Sequence, residues 1–95
     1  MIRSFGHRGL KLYFTHNDDR ELPRENGTIK NIRRALDHLD YASRPEDMNL
    51  PQFRFHELKG PLAGTYAVKV GGRWRMTFNW TGNDATRVDL TPHDY

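Results

Sequence analysis

The second half of the chain carries cationic and titratable residues of the types that bind and cleave a phosphodiester. Arg73 and Arg75 stand two positions apart, so on a β-strand both would project from one face and could grip successive phosphates. His56 adds a side chain that can exchange a proton near neutral pH. Lys59 follows it closely, and the sequence closes on Asp94-Tyr95. These residue types together suit acid–base and charge-stabilising chemistry.

This set of side chains suits the metal-free cleavage of RNA, in which a ribose 2′-hydroxyl attacks the adjacent phosphorus. One group must remove the hydroxyl proton, another must protonate the leaving 5′ oxygen, and cations must stabilise the pentacoordinate phosphate. The spacing does not assign these roles to individual residues. Each residue also has a plainer interpretation, because an exposed arginine is usually a solvated surface residue, a lone histidine is usually structural and a terminal tyrosine is usually dispensable.

Length and composition narrow the class of protein. Ninety-five residues, 36% of them hydrophobic, suffice for one domain, which we predict to span residues 1–95. The absence of cysteine excludes disulfides and cysteine-based metal sites and fits a reducing cytoplasm. The histidines lack paired ligand spacing, so we expect no metal and no cofactor. Apolar stretches are too short to span a membrane, and the first residues lack the apolar region of a secretory signal.

Two amphipathic helices are predicted in the first half of the chain. Leu10, Tyr13 and Phe14 recur at helical spacing, after a predicted short strand over residues 2–5. The second helix is predicted to take Thr28 as its N-cap. Its apolar face comprises Ile29, Ile32, Leu36 and Leu39. Residues 41–51, which include two prolines, are predicted to form a loop.

From Phe53 onward the apolar period changes to two, which predicts antiparallel strands. Gly71-Gly72 fits a two-residue hairpin turn, because both glycines can adopt a positive φ. The predicted apolar faces of the later strands comprise Tyr66, Val68 and Val70, then Trp74, Met76, Phe78 and Trp80, and finally Thr86, Val88 and Leu90.

Helices followed by an antiparallel meander define an α+β protein, with the two N-terminal helices packed on one face of a twisted antiparallel sheet. The opposite face is then open to solvent. The basic and titratable residues predicted there are Arg54, His56, Lys69, Arg73, Arg75 and Arg87. A one-sided sheet with a cationic open face can hold a polyanion. We therefore expect Arg54, Lys69, Arg73 and Arg87 to bind RNA.

Three short motifs follow one another in a distinctive order. They are His56-x-x-Lys59-Gly60, Trp74-Arg75-x-x-Phe78 and the closing Asp94-Tyr95. In this order and spacing, over almost the whole chain, the sequence resembles the HigB-like toxins of the RelE superfamily. The match to that family's active-site motif implies that the catalytic residues are His56, Lys59, Arg75, Asp94 and Tyr95. Arg73 departs from the pattern, since many HigB-like proteins carry Asn there. The arginine keeps a hydrogen-bond donor at this position and adds a positive charge.

The resemblance also implies a function and partners. HigB-like toxins are endoribonucleases that cut mRNA in the ribosomal A site, which here implies inhibition of translation by metal-independent cleavage. The implied partners are the 70S ribosome with its mRNA and a HigA-like helix-turn-helix antitoxin, in a complex expected to be a heterotetramer. The implied location is the bacterial cytoplasm, with no membrane association.

Two other functions fit the same fold. A ParE-like relative would bind and poison DNA gyrase without cutting anything, and a degenerate relative would only bind RNA or the ribosome. His56 together with Tyr95 favours the nuclease over the gyrase poison, because a pure binding module has no evident use for them.

Overall fold

The computed structural model describes residues 1–25 and 27–92. Its regular elements are helices α1 (Arg8–His16) and α2 (Thr28–Tyr41) and strands β1 (His56–Glu57), β2 (Thr65–Lys69), β3 (Trp74–Thr81) and β4 (Asp84–Pro92). The strands form one antiparallel sheet in the order β1-β2-β3-β4, which confirms the predicted α+β class. No helix within the described ranges has the length and apolar character needed to cross a membrane.

Both helices pack on one face of the sheet and form the core there. The buried residues of this core include Leu10 and Tyr13 of α1, Ile32, Leu36 and Leu39 of α2, and Val68, Met76, Phe78, Val88 and Leu90 of the sheet. Burying one such large apolar side chain contributes roughly 1.5–3 kcal/mol. The helical and β3 periodicities therefore identified the core correctly, and the opposite face of the sheet is left uncovered by helix.

The chain around Phe53 departs from the predicted strand. Pro51–Phe53 forms a 3₁₀ turn, Arg54 has a left-handed backbone (φ 48°, ψ 48°), and β1 contains only His56–Glu57. The fixed φ of Pro51 suits the start of a helical turn. The turn buries Phe53 in the core, whereas Phe55 packs at the core's margin. Phe53 and Phe55 are thus two positions apart because each makes a packing contact of its own, and not because both lie on one face of a strand.

The connection between β2 and β3 uses its glycines for a different reason from the one predicted. β2 ends at Lys69 and β3 begins at Trp74, so the link is longer than a two-residue turn. Neither Gly71 nor Gly72 has a positive φ. A Cβ at Gly71 would lie 2.5 Å from Thr28 Oγ1. Gly71 is required because the link passes close to the first turn of α2.

Thr28 is the first residue of α2, and the predicted N-cap is wrong by one position. The N-cap is Gly27, whose φ of 78° lies in the left-handed region that favours glycine. Thr28 is fully buried, and its Oγ1 has no hydrogen-bond partner among the described residues. The hydroxyl faces the β2–β3 link instead of capping the helix.

A β-bulge shifts the apolar face predicted for β4. The pairing register with β3 changes opposite the middle of that strand, where Arg87 has a φ of 52°. The extra residue moves the following side chains by one position. Ala85 therefore shares the buried face with Val88 and Leu90, and Thr86 does not, contrary to the sequence pattern.

Two connecting segments also differ from the prediction. Residues 2–5 form only two isolated parallel bridges with β4, at Ile2–Ala85 and Phe5–Val88, instead of a strand. The predicted loop over residues 41–51 contains a 3₁₀ turn, Pro45–Met48, whose last residue is fully buried. Both segments thereby pack against the core rather than running freely over the surface.

Candidate active site

Three of the predicted site residues lie together on the open face of the sheet. Lys69 of β2 is directly opposite Arg75 of β3. His56 of β1 is opposite Ala67, two residues before Lys69, so its side chain projects from the same face. This face therefore joins an imidazole and two cations across three adjacent strands.

The Lys69–Arg75 pair places two like charges side by side. Like charges directly opposite each other in an antiparallel sheet destabilise it by about 0.2–1 kcal/mol. Within the described part of the chain, neither side chain forms a salt bridge that would offset this repulsion. An anion bound between the two side chains would relieve this repulsion.

Arg75 is oriented by a neighbour that the sequence pattern does not reveal. Its Nε donates a hydrogen bond of 3.3 Å to Oγ1 of Thr91, the residue opposite it in β4. The side chain is only partly exposed, so its stem is supported by the sheet. Thr91 follows the core residue Leu90, so it lies on the open face, and the strand register brings it opposite Arg75.

His56 is held in one orientation by the backbone of Arg54. Its Nδ1 lies 3.1 Å from the Arg54 carbonyl oxygen. A carbonyl oxygen can only accept, so Nδ1 carries the hydrogen and donates it. The lone pair of the neutral ring is then on Nε2, which is available to take a proton. The left-handed conformation of Arg54 directs this carbonyl towards the ring.

The strand register also sets the gap between His56 and Arg75. They are separated by two strand spacings and by two residues along the strands. With about 4.8 Å between strands and about 3.4 Å per residue, their Cα atoms are roughly 12 Å apart. Since both side chains extend several ångströms from the sheet, a phosphodiester could be contacted by both.

Lys59 and the C-terminal pair complete the catalytic residues inferred from the sequence. Lys59 is exposed and precedes the 3₁₀ turn Gly60–Leu62, just beyond β1. It lies near the His56 end of the sheet but outside the strand ladder. Asp94 and Tyr95 lie outside the described residues.

Arg54, Arg73 and Arg87 do not belong to the regular ladder, which corrects the open face predicted from alternation. Arg54 follows the 3₁₀ turn and precedes β1. Arg73 lies in the β2–β3 link, and its Nε is 3.9 Å from a carboxylate oxygen of Glu25. Arg87 is exposed at the β4 bulge. The departures have one cause, because period-two alternation holds only within regular strands.

The acidic and histidine side chains of the described ranges do not converge on a metal site. No group of three or more such side chains lies close enough there to hold an ion. Asp89 is opposite Thr77 on the open face, and its Oδ1 accepts a hydrogen bond of 2.8 Å from the Leu90 N–H. It adds one carboxylate at the β4 side of this face.

Tyr66 is the phenol nearest the middle of the sheet, but it faces the helices. Its ring stacks with Phe55 and Phe78 at centroid distances of 5.7 and 5.6 Å. Burial raises the pKa of Tyr66, and the nearby carboxylates of Glu57 and Glu46 raise it further. Its hydroxyl therefore stays protonated at neutral pH and takes no part in the open face.

Known proteins resemble this chain over nearly its whole length. A family described as the RelE-like toxin of type II toxin-antitoxin system HigB matches residues 3–93. The sequence is 33% identical to Endoribonuclease HigB of Proteus vulgaris over 90% of each chain. It is 32% identical to Toxin HigB-1 of Vibrio cholerae serotype O1 over 100% of each chain.

Solved structures share the fold at lower sequence identity. The crystal structure of YafQ from E. coli strain BL21(DE3) has a TM-score of 0.62 at 14% identity, over 97% of this chain and 91% of that one. A YafQ mutant from E. coli has a TM-score of 0.59 at the same identity, over 97% of this chain and 93% of the other. These similarities concern the architecture alone.

Proposed function

The chain belongs to the HigB-like family of RelE-like toxins from type II toxin-antitoxin systems, and from this premise we propose that it is a ribosome-dependent mRNA endonuclease. The observation that carries the proposal is the open-face set of His56, Lys69 and Arg75, which combines a proton acceptor with two adjacent cations. The name of the Proteus vulgaris relative supports the same activity. The substrate is mRNA in the ribosomal A site, and its cleavage inhibits translation.

The proposed reaction is a transesterification within one RNA strand. The 2′-hydroxyl attacks the adjacent phosphorus and passes its proton to Nε2 of His56. The bond to the 5′ oxygen breaks, leaving a 2′,3′-cyclic phosphate and a 5′-hydroxyl that has received a proton. Arg75 stabilises the charge that develops on the phosphate. Lys59, Asp94 and Tyr95, which match the family's motif, are the candidates for proton donation and substrate orientation.

The remaining cationic residues would bind the RNA strand around the reacting linkage. Lys69 lies beside Arg75 in the ladder, whereas Arg54, Arg73 and Arg87 surround the open face from the 3₁₀ turn, the β2–β3 link and the bulge. The reaction needs only proton transfer and charge stabilisation, which these side chain types supply. We therefore propose that cleavage is metal-independent and uses no cofactor.

Membership of a type II system supports an antitoxin as the protein partner. We propose a HigA-like helix-turn-helix protein that neutralises the toxin in a heterotetrameric complex. Such a complex would act in the bacterial cytoplasm, where ribosomes and mRNA are found.

The test is to induce the chain in a bacterium and map the ends of cellular RNA. We expect growth arrest and new RNA ends within coding regions, both reversed by co-expression of the cognate antitoxin. DNA breaks without new RNA ends would instead identify a gyrase poison. Growth arrest with neither change would identify a protein that only binds RNA or the ribosome. Reconstitution with purified programmed ribosomes, in which a transition-metal chelator should not stop cleavage, then tests metal independence.

A further inference from the structure

A cationic cleft lies beside the open face, between α2, the 3₁₀ turn at residues 51–53 and the β2–β3 link. Its volume is about 400 Å³. The polar residues and the glycine that matter for its chemistry are Asn31, Arg34, Gln52, Arg54, Lys69 and Gly71. His56, Lys59 and Arg75 do not line it. Of the open-face set, only Lys69 lines the cleft, which is therefore adjacent to the candidate active site and shares one residue with it.

The charges around the cleft are all of one sign. Arg34, Arg54 and Lys69 line it, and no acidic residue does. None of the three forms a salt bridge within the part of the chain that the structure describes. Converging cations in a concave surface raise the local concentration of anions and repel one another when the cleft is empty. An anionic ligand would remove that repulsion.

The arginines that do have acidic partners lie elsewhere. Those in salt bridges are Arg3, Arg8, Arg20, Arg24, Arg33, Arg44 and Arg73. Among the described residues, the arginines without such a partner are Arg34, Arg54, Arg75 and Arg87. Two of these line the cleft and a third is in the candidate active site. Three of these four arginines therefore line the cleft or lie in the candidate active site beside it.

The β2–β3 link contributes two glycines to the lining of the cleft. The N–H groups of Gly71 and Gly72 make no hydrogen bond within the described ranges, although both residues line the cleft. Gly72 has no heavy atom within 4 Å of the position a Cβ would occupy, so a ligand can approach its backbone closely. Free N–H groups beside cations are suited to phosphate oxygens.

Lys69 connects the cleft with the candidate active site. It lines the cleft and is directly opposite Arg75 in the ladder. A strand of RNA whose reacting phosphate contacts Arg75 could therefore continue past Lys69 to Arg34. An acidic protein segment would satisfy the same charges, but this continuity with the proposed reacting linkage favours RNA.

We propose that the cleft binds a phosphate of the RNA strand that flanks the cleaved linkage, with Arg34 as its outermost contact. This inference rests on the proposed function, because it takes RNA as the substrate. It adds a binding subsite on α2, a helix that contributes no residue to the open-face set of His56, Lys69 and Arg75.

The test measures binding of a short fluorescent single-stranded RNA to the full-length chain. Every ribose of the RNA carries a 2′-O-methyl group, which removes the nucleophile and separates binding from cleavage. Arg34→Gln should reduce the slope of log affinity against log salt by about 0.7, the value for one phosphate contact of a single strand. At 0.1 M salt this corresponds to about fivefold weaker binding relative to a 1 M reference. Arg34→Lys keeps the positive charge, so its slope of log affinity against log salt should be close to the wild-type value.

The matched control is Lys11→Gln, which removes one positive charge from an exposed position on α1, away from the cleft. It should leave the slope within error of the wild-type value. Equal slopes for the wild type and Arg34→Gln, or no salt-dependent RNA binding by the wild type, would overturn the proposal. Poly-glutamate binding as tightly as the RNA, and with the same dependence on Arg34, would overturn it in favour of an acidic protein ligand.

The outcomes separate this proposal from the proposed function. If the wild type cleaves mRNA on ribosomes and its RNA binding does not depend on Arg34, only the proposed role of the cleft is rejected. Arg34-dependent RNA binding without any cleavage by the wild type would reject the nuclease and retain the cleft.

Discussion

At the scale of single residues, the candidate site depends on backbone geometry as much as on side chain type. His56 is oriented by a carbonyl that the left-handed conformation of Arg54 directs towards it. A non-glycine residue in that conformation costs of order 1 kcal/mol or more and persists only when its surroundings hold it there. The buried side chain of Phe53, immediately before it, supplies such a constraint. The role of Arg54 at this point is thus to position His56 through its main chain.

Arg75→Ala is expected to abolish cleavage while the protein remains folded. The side chain projects from the open face and donates only to Thr91, so its removal deletes a cation without opening a core cavity. Loss of one charge-stabilising donor typically lowers the rate by on the order of a hundredfold or more. The measurement is the rate of mRNA cleavage on programmed ribosomes, with thermal unfolding as the check on folding.

Two further variants make this prediction specific to Arg75. Arg75→Lys should recover only part of the rate, since an ammonium group cannot make the bidentate phosphate contact of a guanidinium. Arg8→Ala removes an exposed arginine from α1 and should cleave at the wild-type rate. If Arg75→Ala lowers the cleavage rate less than threefold, Arg75 is only a surface cation and the prediction is wrong.

At the scale of elements, the sequence predicted the helix and strand faces that follow from a regular spacing of apolar residues. The apolar residues of α2 and the strict alternation from Trp74 to Trp80 identified the core faces of both elements. The bulge at Arg87 and the 3₁₀ turn at Pro51–Phe53 were not predictable in this way, because each interrupts a period at one residue. Prediction of β3 was therefore reliable, whereas β1 and part of β4 required the tertiary structure.

The difference between regular and irregular positions also explains which residues of the candidate site could be predicted from the sequence. His56 and Arg75 are in ladder positions, so alternation placed them on the open face. Nothing in the sequence indicates that Arg34 lines a cleft, because the spacing of a charged residue on a helix is the same whether it faces solvent or a cleft. Thr91 was missed because its contact with Arg75 depends on the register between two strands.

Gly71→Ala is expected to destabilise the fold at the contact between the β2–β3 link and α2. The new Cβ would lie 2.5 Å from Oγ1 of the fully buried Thr28 and 3.2 Å from its Cγ2, so the link or the helix must shift. Overpacking of this kind typically costs about 1–3 kcal/mol. Chemical denaturation with a two-state fit measures the change in the free energy of unfolding.

The neighbouring glycine provides the matched control. Gly72→Ala introduces a Cβ with nothing within 4 Å and no positive φ, so the free energy of unfolding should stay the same or rise by up to about 1 kcal/mol. Adding Thr28→Ala to Gly71→Ala should restore much of the lost stability, because it removes both clashing atoms. Equal stabilities of the two single glycine variants would show that the close approach to Thr28 has no energetic importance.

At the scale of the whole molecule, most arginine ion pairs lie away from the open face, and the exception is the pair of Arg73 with Glu25 in the β2–β3 link. Most paired arginines bind carboxylates in the helices and their connections, such as Arg20 with Asp18 and Arg44 with Asp47, whereas Arg3 binds Asp84 at the start of β4. Unpaired arginines border the open face and the adjacent cleft. The chain has a net charge of only +3, so the RNA binding that we propose would depend on the local clustering of these unpaired arginines more than on total charge.

Two of these paired carboxylates have pKa values that favour the ionised form in the folded state. Hydrogen bonds from the Arg20 side chain and backbone lower the pKa of Asp18 to about 2. The backbone N–H of Ser43 and the side chain of Arg44 lower the pKa of Asp47. In an unfolded chain both carboxyl groups would titrate at about 3.9. The folded state therefore binds fewer protons than the unfolded state in acid.

The thermal unfolding midpoint should consequently fall as the pH is lowered from about 4 to about 2. A carboxylate with a depressed pKa stabilises the fold fully above its unfolded pKa, and this stabilisation is lost as the pH falls through the folded value. Circular dichroism melts at closely spaced pH values would measure the decline.

Asp18→Asn and Asp47→Asn should each lower the unfolding midpoint at neutral pH. Each should also make the fall of the midpoint with acid less steep, and the double variant should show the least steep fall. Because the Asp18–Arg20 pair is at the surface, added salt should weaken its contribution. Variants whose midpoints decline in parallel with the wild type would show that other groups control acid unfolding.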